Sequence, residues 1–421
     1  MSINNTSHLE DIKQVRPDLY SLYQENNDKS FHDYLIWLNN SEIDKEFFRT
    51  RKSDFINHIR AQLDETFNID INAIIRELEK IQQNTTNHFW IMQNDEIINN
   101  TVLDILRNHD SETQVSFPWW KVPINNVTKP FILQSNWENF DIFKYFNQNL
   151  TKNHVVLLLD SFNLKKEDIL ESLKSSKAEI NEQIIDIFTK YNHSPDFITQ
   201  CSRINKDLYS LIFHPQKDVI FLEKYSLIQS YLCELLQNDS NIISHIFRDE
   251  RLLANLCDKY WTDLFRLNKD LKLKNLHYNN WDLFYKQEKL LNIQDDINKL
   301  IQLLQQKKLI ISLELMFCIL SFYLWYECLW WIFQVNYLPR IQKNWEAIVK
   351  EISKNEEDKV KGIASDKLIW NFNIVWNKWL IDYINLNQKI DINDVEKESK
   401  WKPFTHFFDS KKIAEILCPK K

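Results

Sequence analysis

Apolar residues recur along most of the chain at three- and four-residue intervals, the period of an amphipathic helix. The pattern predicts helices near 8–24, 30–39, 42–68, 70–83 and 94–108, then near 137–149, 165–190, 195–213 and 217–237. It continues with helices near 240–268, 280–306, 309–338, 340–356, 364–386 and 405–417. Pro and Gly are both absent from Gln216 to Leu338, room for several helices joined by short polar turns. Start signals agree, since Ser30-Phe31-His32-Asp33 and Ser41-Glu42-Ile43-Asp44 each set a carboxylate three residues after a serine. Only His154 to Asp160 reads as a strand, and one strand makes no sheet. No fixed-period repeat appears. The expected fold is all-α, a multi-helix bundle or irregular helical array.

Proline clusters once, at Pro118, Pro123 and Pro130, beside Trp119 and Trp120. That cluster divides the chain into an N-terminal helical part at 1–110, a linker at 111–135 and a larger helical part at 136–421. Leu309 to Leu338 is the longest apolar run, flanked by Lys307, Lys308 and Arg340, and long enough to cross a bilayer. Glu314 and Glu327 interrupt it, and a carboxylate near the centre of a span costs about 2.5–3.5 kcal/mol. A buried central helix is therefore expected over 309–338 in preference to a membrane span. Glu327 in such a core must be neutralised, bonded or set at a cavity, as a salt-bridge partner or as an acid, base or ligand. Glu314, thirteen positions earlier, lies about 220° around the same helix and shares no face with it.

Composition sharpens this picture by exclusion. The 421 residues include one glycine, Gly362. The P-loop, the G-x-G-x-x-G dinucleotide turn, the kinase phosphate lid and the G-x-S-x-G nucleophile elbow all need glycine's conformational freedom. None can be written here. Gly362 itself falls between two expected helices, where a terminating turn would use it. Asparagines at Asn39-Asn40, Asn99-Asn100 and Asn279-Asn280 are expected to stand in for the missing C-cap glycines. A net charge of −7 argues against a broad cationic footprint for nucleic acid while leaving room for a local basic groove. The six cysteines show no C-x-x-C spacing, and Met1 to His8 lacks the basic-then-apolar pattern of a secretory signal. Both point to reduced thiols in a cytoplasm.

Candidate chemistry is sparse. Neither Glu-x-x-His nor His-Glu-x-x-His occurs, so no metal or other cofactor is expected. Ser/His/Asp or Cys/His sets meet only in space, and nothing in the linear sequence selects one. Arg51 and His58, six residues between them, resemble the R-x(4–6)-H signature of HEPN ribonucleases, which implies action on phosphate and 2′-hydroxyl by a helical dimer. Read from the residues alone, the two are surface positions on a solvated face. Phe89 to Asn99, with Asp95 and Glu96, resembles the aspartate-rich motif of class I terpene synthases, and Asn238-Asp239-Ser240 through Ser244 and Glu250 resembles their second metal motif. Asn99 stands where an acid is needed, and Ser244 and Glu250 each fall two places late. The aromatic stripe Phe372, Trp376, Trp379 and Tyr383 follows i, i+4, i+7, i+11 spacing and predicts one helix face, for core packing or for contact. The expectation is a non-enzymatic interaction protein that binds a protein partner through those aromatics. The alternative is a Mg2+-dependent terpene-type cyclase using Asp95, Glu96, Asn238 and Asp239, with Glu327 a further candidate; a membrane-attached helical protein is the third reading.

Overall fold

The computed structural model describes residues 5–39, 45–66, 71–80, 82–84, 95–107, 111, 113–118, 121, 132–135, 138–141, 150–151, 153–174, 180–259, 264–279, 281–329, 334–363, 372, 374 and 380–417. Helices dominate, but the all-α expectation is corrected: strands pair in several small sheets, and the fold is mixed α/β with a helical majority.

The largest sheet has four strands in the order Glu327–Leu329, Gln82–Asn84, Thr113–Ser116 and Asp218–Phe221, all neighbours parallel. Parallel strands need covered faces and long crossovers. Helix Asp95–Arg107 supplies the first crossover, and Lys166–Lys174, Glu182–Lys190 and Phe197–Ser210 lie in the second. Thr113, Gln114, Val115 and Ser116 are accordingly all buried. One strand comes from the expected N-terminal part, one from the expected linker and two from the larger part, so a single sheet gathers segments from all three.

The helices expected over 240–268 and 280–306 are shorter than expected, at Ile242–Arg248, Glu250–Lys259 and Ile297–Gln305, and two antiparallel sheets take part of the remainder. Phe265–Lys269 pairs with Lys272–Asn275 and with Leu309–Ile311, while His277–Asn279, Asp282–Tyr285 and Glu288–Asn292 form a meander. The hairpin turn at Asp270-Leu271 has φ of 54° and 59°, the geometry that an Asn-Gly pair usually supplies.

The expected central helix at 309–338 is also corrected. The run is divided into strand Leu309–Ile311, helix Leu313–Phe317, a π-helical turn Cys318–Tyr323, strand Glu327–Leu329 and helix Gln334–Val349. Ser312 begins a new helix because its Oγ accepts from Leu315 N at 3.0 Å. Trp325, at φ 56°, turns the chain out of the π-helical segment. Burial is as the apolar pattern required: every residue from Leu315 to Tyr326 is at most 5% exposed. Among the described residues no helix is long and apolar enough to cross a membrane. The strand expected at His154 to Asp160 is instead a 3-10 turn, Val156–Leu158, sunk in the core.

A candidate small-molecule site at the carboxyl edge of the sheet

Strand Asp218–Phe221 ends against the core, and helix Lys224–Gln237 begins three residues later. Open α/β sheets place ligands beyond the carboxyl ends of their strands, where helix N-termini and loops leave a crevice. A cavity of about 370 Å³ lies there. Its apolar walls include Leu63, Leu157, Ile198, Leu227 and Ile310, and its polar edge includes Gln62, Asp196, Thr199, Glu223, Ser226, Ser230 and Lys307.

Local structure fixes each polar group. Asp196 caps helix Phe197–Ser210, accepting from Thr199 N at 2.8 Å. Glu223 caps helix Lys224–Gln237, accepting from Tyr225 N at 2.9 Å and Ser226 N at 2.6 Å. Burial raises the Glu223 pKa, and the two backbone N–H groups oppose that rise. Lys307 stands just past helix Ile297–Gln305 at φ 51°. There Lys308 N donates to Leu303 O at 2.9 Å and Lys307 N to Leu304 O at 2.9 Å, a Schellman closure. Its ammonium lies 4.0 Å from Asp196. Gln229 locks the wall behind, donating to Leu304 O (2.8 Å) and Leu309 O (3.1 Å) and accepting from Ile311 N (3.0 Å). Outside that wall Lys121 donates to Ile311 O and sits 5.0 Å from the Tyr225 ring. Burial, followed by repulsion from Arg266, pushes Lys121 down to about 7.

One further cluster reaches the cavity. Helix Lys45–Thr66 crosses helix Lys224–Gln237 so that His58 Nε2 lies 2.9 Å from Ser230 Oγ, while His58 Nδ1 meets the Glu234 carboxylate. Gln62 Nε2 donates to Ser230 Oγ at 3.1 Å. His58 and Gln62 are one helical turn apart, as are Ser230 and Glu234, so each pair shares a helix face. Polar pairs at that spacing are commonplace in sequence, and no linear signal joins positions 172 residues apart.

The sequence-derived candidates are placed differently. Asp95 and Glu96 begin helix Asp95–Arg107, with their side chains outside the described residues. Asn238 ends helix Lys224–Gln237 and accepts from Ser240, and Asp239 pairs with Arg248 at 2.6 Å. The strands depart from the all-helical architecture that the terpene-synthase resemblance implies, and among the described residues no three His, Cys, Asp or Glu side chains gather as a metal site. Glu327 pairs in register with Gln82, its side chain outside the described residues. Phe372 makes an antiparallel bridge to Phe408 and is buried among Phe31, Tyr34 and Phe404. Tyr383 is buried in helix Leu380–Asn385. Trp376 and Trp379 lie outside the described residues. Arg51 does not join His58 beside Ser230: its guanidinium pairs with Glu356 and covers the Phe47 and Tyr323 rings at 4.8 and 4.4 Å.

Fold and site together define a helix-rich α/β protein with a half-open cavity at its sheet edge. No protein family matches the chain. It is 26% identical over 190 residues to Protein PFC0760c of Plasmodium falciparum (isolate 3D7), a match covering 41% of this chain and 5% of that much longer protein.

Proposed function

We propose that the chain binds an amphipathic small molecule, an apolar body with an anionic end, in the cavity beyond strand Asp218–Phe221. The cavity itself carries this reading: its volume of about 370 Å³ falls in the range of ligand sites, roughly 300–1,000 Å³, and an apolar wall meets a few fixed polar groups. Lys307 supplies the cation for the anionic end, and Leu63, Leu227 and Ile310 supply the apolar wall. The protein-partner reading has less support, because Phe372 and Tyr383, the described members of its aromatic stripe, are buried. A cytoplasmic setting suits the free thiols of Cys201 and Cys233.

Octanoate is a suitable probe. At saturating concentration it is expected to raise the thermal midpoint of the full chain by about 2 °C or more. Thr199→Trp, which sets an indole in the cavity wall, and Lys307→Met, which removes the ammonium, should each abolish that rise. An unchanged midpoint in the parent protein, or an equal rise in both variants, overturns the reading.

A further inference from the structure

Building on the cavity reading, we propose that Ser230, His58 and Glu234 form a nucleophilic relay that hydrolyses a carboxylic ester whose acyl chain occupies the apolar wall. The connectivity is the observation. The Glu234 carboxylate accepts the Nδ1–H of His58 and so fixes the tautomer, leaving the Nε2 lone pair to accept from Ser230 Oγ at 2.9 Å. His58 is 17% exposed and Glu234 49% exposed at the side chain, and Ser230 lines the cavity, so a substrate reaches the hydroxyl without the sharp glycine turn of a nucleophile elbow.

The oxyanion donor follows by the same accounting. The backbone N–H groups of Tyr225 and Ser226, at the start of the helix that carries Ser230, are already held by Glu223. Gln62 Nε2, 3.1 Å from Ser230 Oγ, is the amide placed beside the attacking oxygen. A single side-chain donor stabilises a tetrahedral intermediate less than a pair of backbone donors, which suits an ester with its good leaving group better than an amide.

The reaction closes with water as the only co-reactant. Ser230 Oγ bonds to the carbonyl carbon as its proton passes to His58 Nε2; the carbon–oxygen bond to the alcohol then breaks, and the alcohol takes that proton. Water adds to the acyl carbon, giving its proton to His58. The acyl–Oγ bond breaks, Ser230 recovers the proton, and a carboxylic acid and an alcohol leave. Glu234 acts here as a positioning residue.

The test uses the full chain with a fluorophosphonate probe, which forms an Oγ–phosphorus bond and expels fluoride, and with p-nitrophenyl butyrate. Peptide mapping should place the label on Ser230, and Ser230→Ala should abolish both labelling and p-nitrophenol release while the circular dichroism spectrum stays unchanged. Gln62→Ala should slow release about a hundredfold. Glu234→Gln should slow it by a hundredfold or more, with Glu234→Asp recovering part of the loss. An unlabelled folded parent protein, or unchanged release in Ser230→Ala, overturns the relay. If octanoate still stabilises the parent protein and not Thr199→Trp while no label forms, the relay alone falls; if neither octanoate nor the probe acts, both readings fall.

Discussion

Among the described residues, seven that carry a Cβ adopt a positive φ: Asp270, Leu271, Trp281, Lys286, Lys307, Trp325 and Asn387. Gly362 does not; it ends helix Lys354–Lys361 at φ −68°, ψ −16°, a right-handed conformation open to any residue. The glycine was legible as a joint, but its freedom is not what the joint uses. The left-handed conformation costs an ordinary L-residue about 1–2 kcal/mol, so this chain carries that cost at turns where others place glycine. Asparagine closes a helix at Asn387, which was not among the expected joints: Gln388 N donates to Tyr383 O at 2.8 Å and Asn387 N to Ile384 O at 3.0 Å. Of the joints that were expected, Asn39 is the last residue of helix Phe31–Asn39, but Asn279 ends a strand, so the expectation is not met there. It fails at Asn99-Asn100, which sit buried inside helix Asp95–Arg107, Asn99 accepting from Ile374 N at 2.6 Å. Two exposed substitutions separate the cases. Gly362→Ala should stabilise by about 0.4–1 kcal/mol, through the unfolded chain, and Lys286→Gly by up to about 1 kcal/mol, through relief of the left-handed turn. Urea midpoints at unchanged m-value measure both, and a destabilised Gly362→Ala protein would contradict the first.

At the scale of elements, caps were the most legible feature. Ser30 accepts from Asp33 N at 3.0 Å and donates to the Asp33 carboxylate at 2.7 Å, as its spacing implied. Strands were the least legible. Phe265, Leu267 and Leu273 alternate with polar residues over two short segments, but the turn between them is Asp-Leu, so the usual punctuation of a hairpin is missing. The central run shows a different failure: an apolar stretch reports burial, and helix and strand satisfy burial equally well. Ser312 was the overlooked punctuation, a cap buried inside that run. Ser312→Ala should cost about 1–2 kcal/mol, because Leu315 N loses its acceptor in a place that water does not reach. The check is a lowered urea midpoint, with loss of amide-exchange protection confined to Leu313–Phe317. Of the site, the sequence marked His58 through its resemblance to a phosphate chemistry, and the fold gives it Ser230 and Glu234 instead.

At the scale of the whole molecule, buried charges from distant elements act on one another: in helix Asp95–Arg107, Asp104 lies 3.9 Å from Arg107 and feels the charge of Glu77, which stands near the end of helix Ile71–Leu78 and accepts from Lys80 and Ser111 at 2.5 Å each. Burial pushes Asp104 up to about 7, opposed by Arg107 and assisted by Glu77. The folded state therefore holds this proton more tightly than the unfolded chain, whose carboxyl titrates near 3.8. Stability from this group is lost as pH rises from about 4 to about 7 and is level above that. Asp104→Asn should remove that slope, so that its thermal midpoint exceeds the parent's at pH 8 and the gap closes by pH 4.5; parallel midpoint curves would refute the assignment. The sheet was illegible for a related reason, since its strands are short and are defined by partners far along the chain. Tyr326, beside the last strand, donates its hydroxyl to Leu78 O at 2.6 Å across 248 positions. On a growing chain, strand Gln82–Asn84 emerges long before Glu327–Leu329, so its outer edge stays open while most of the protein is still being synthesised. Assembly thus depends on long-range closure, the slow class of folding reaction, and the strand made first is the one completed last.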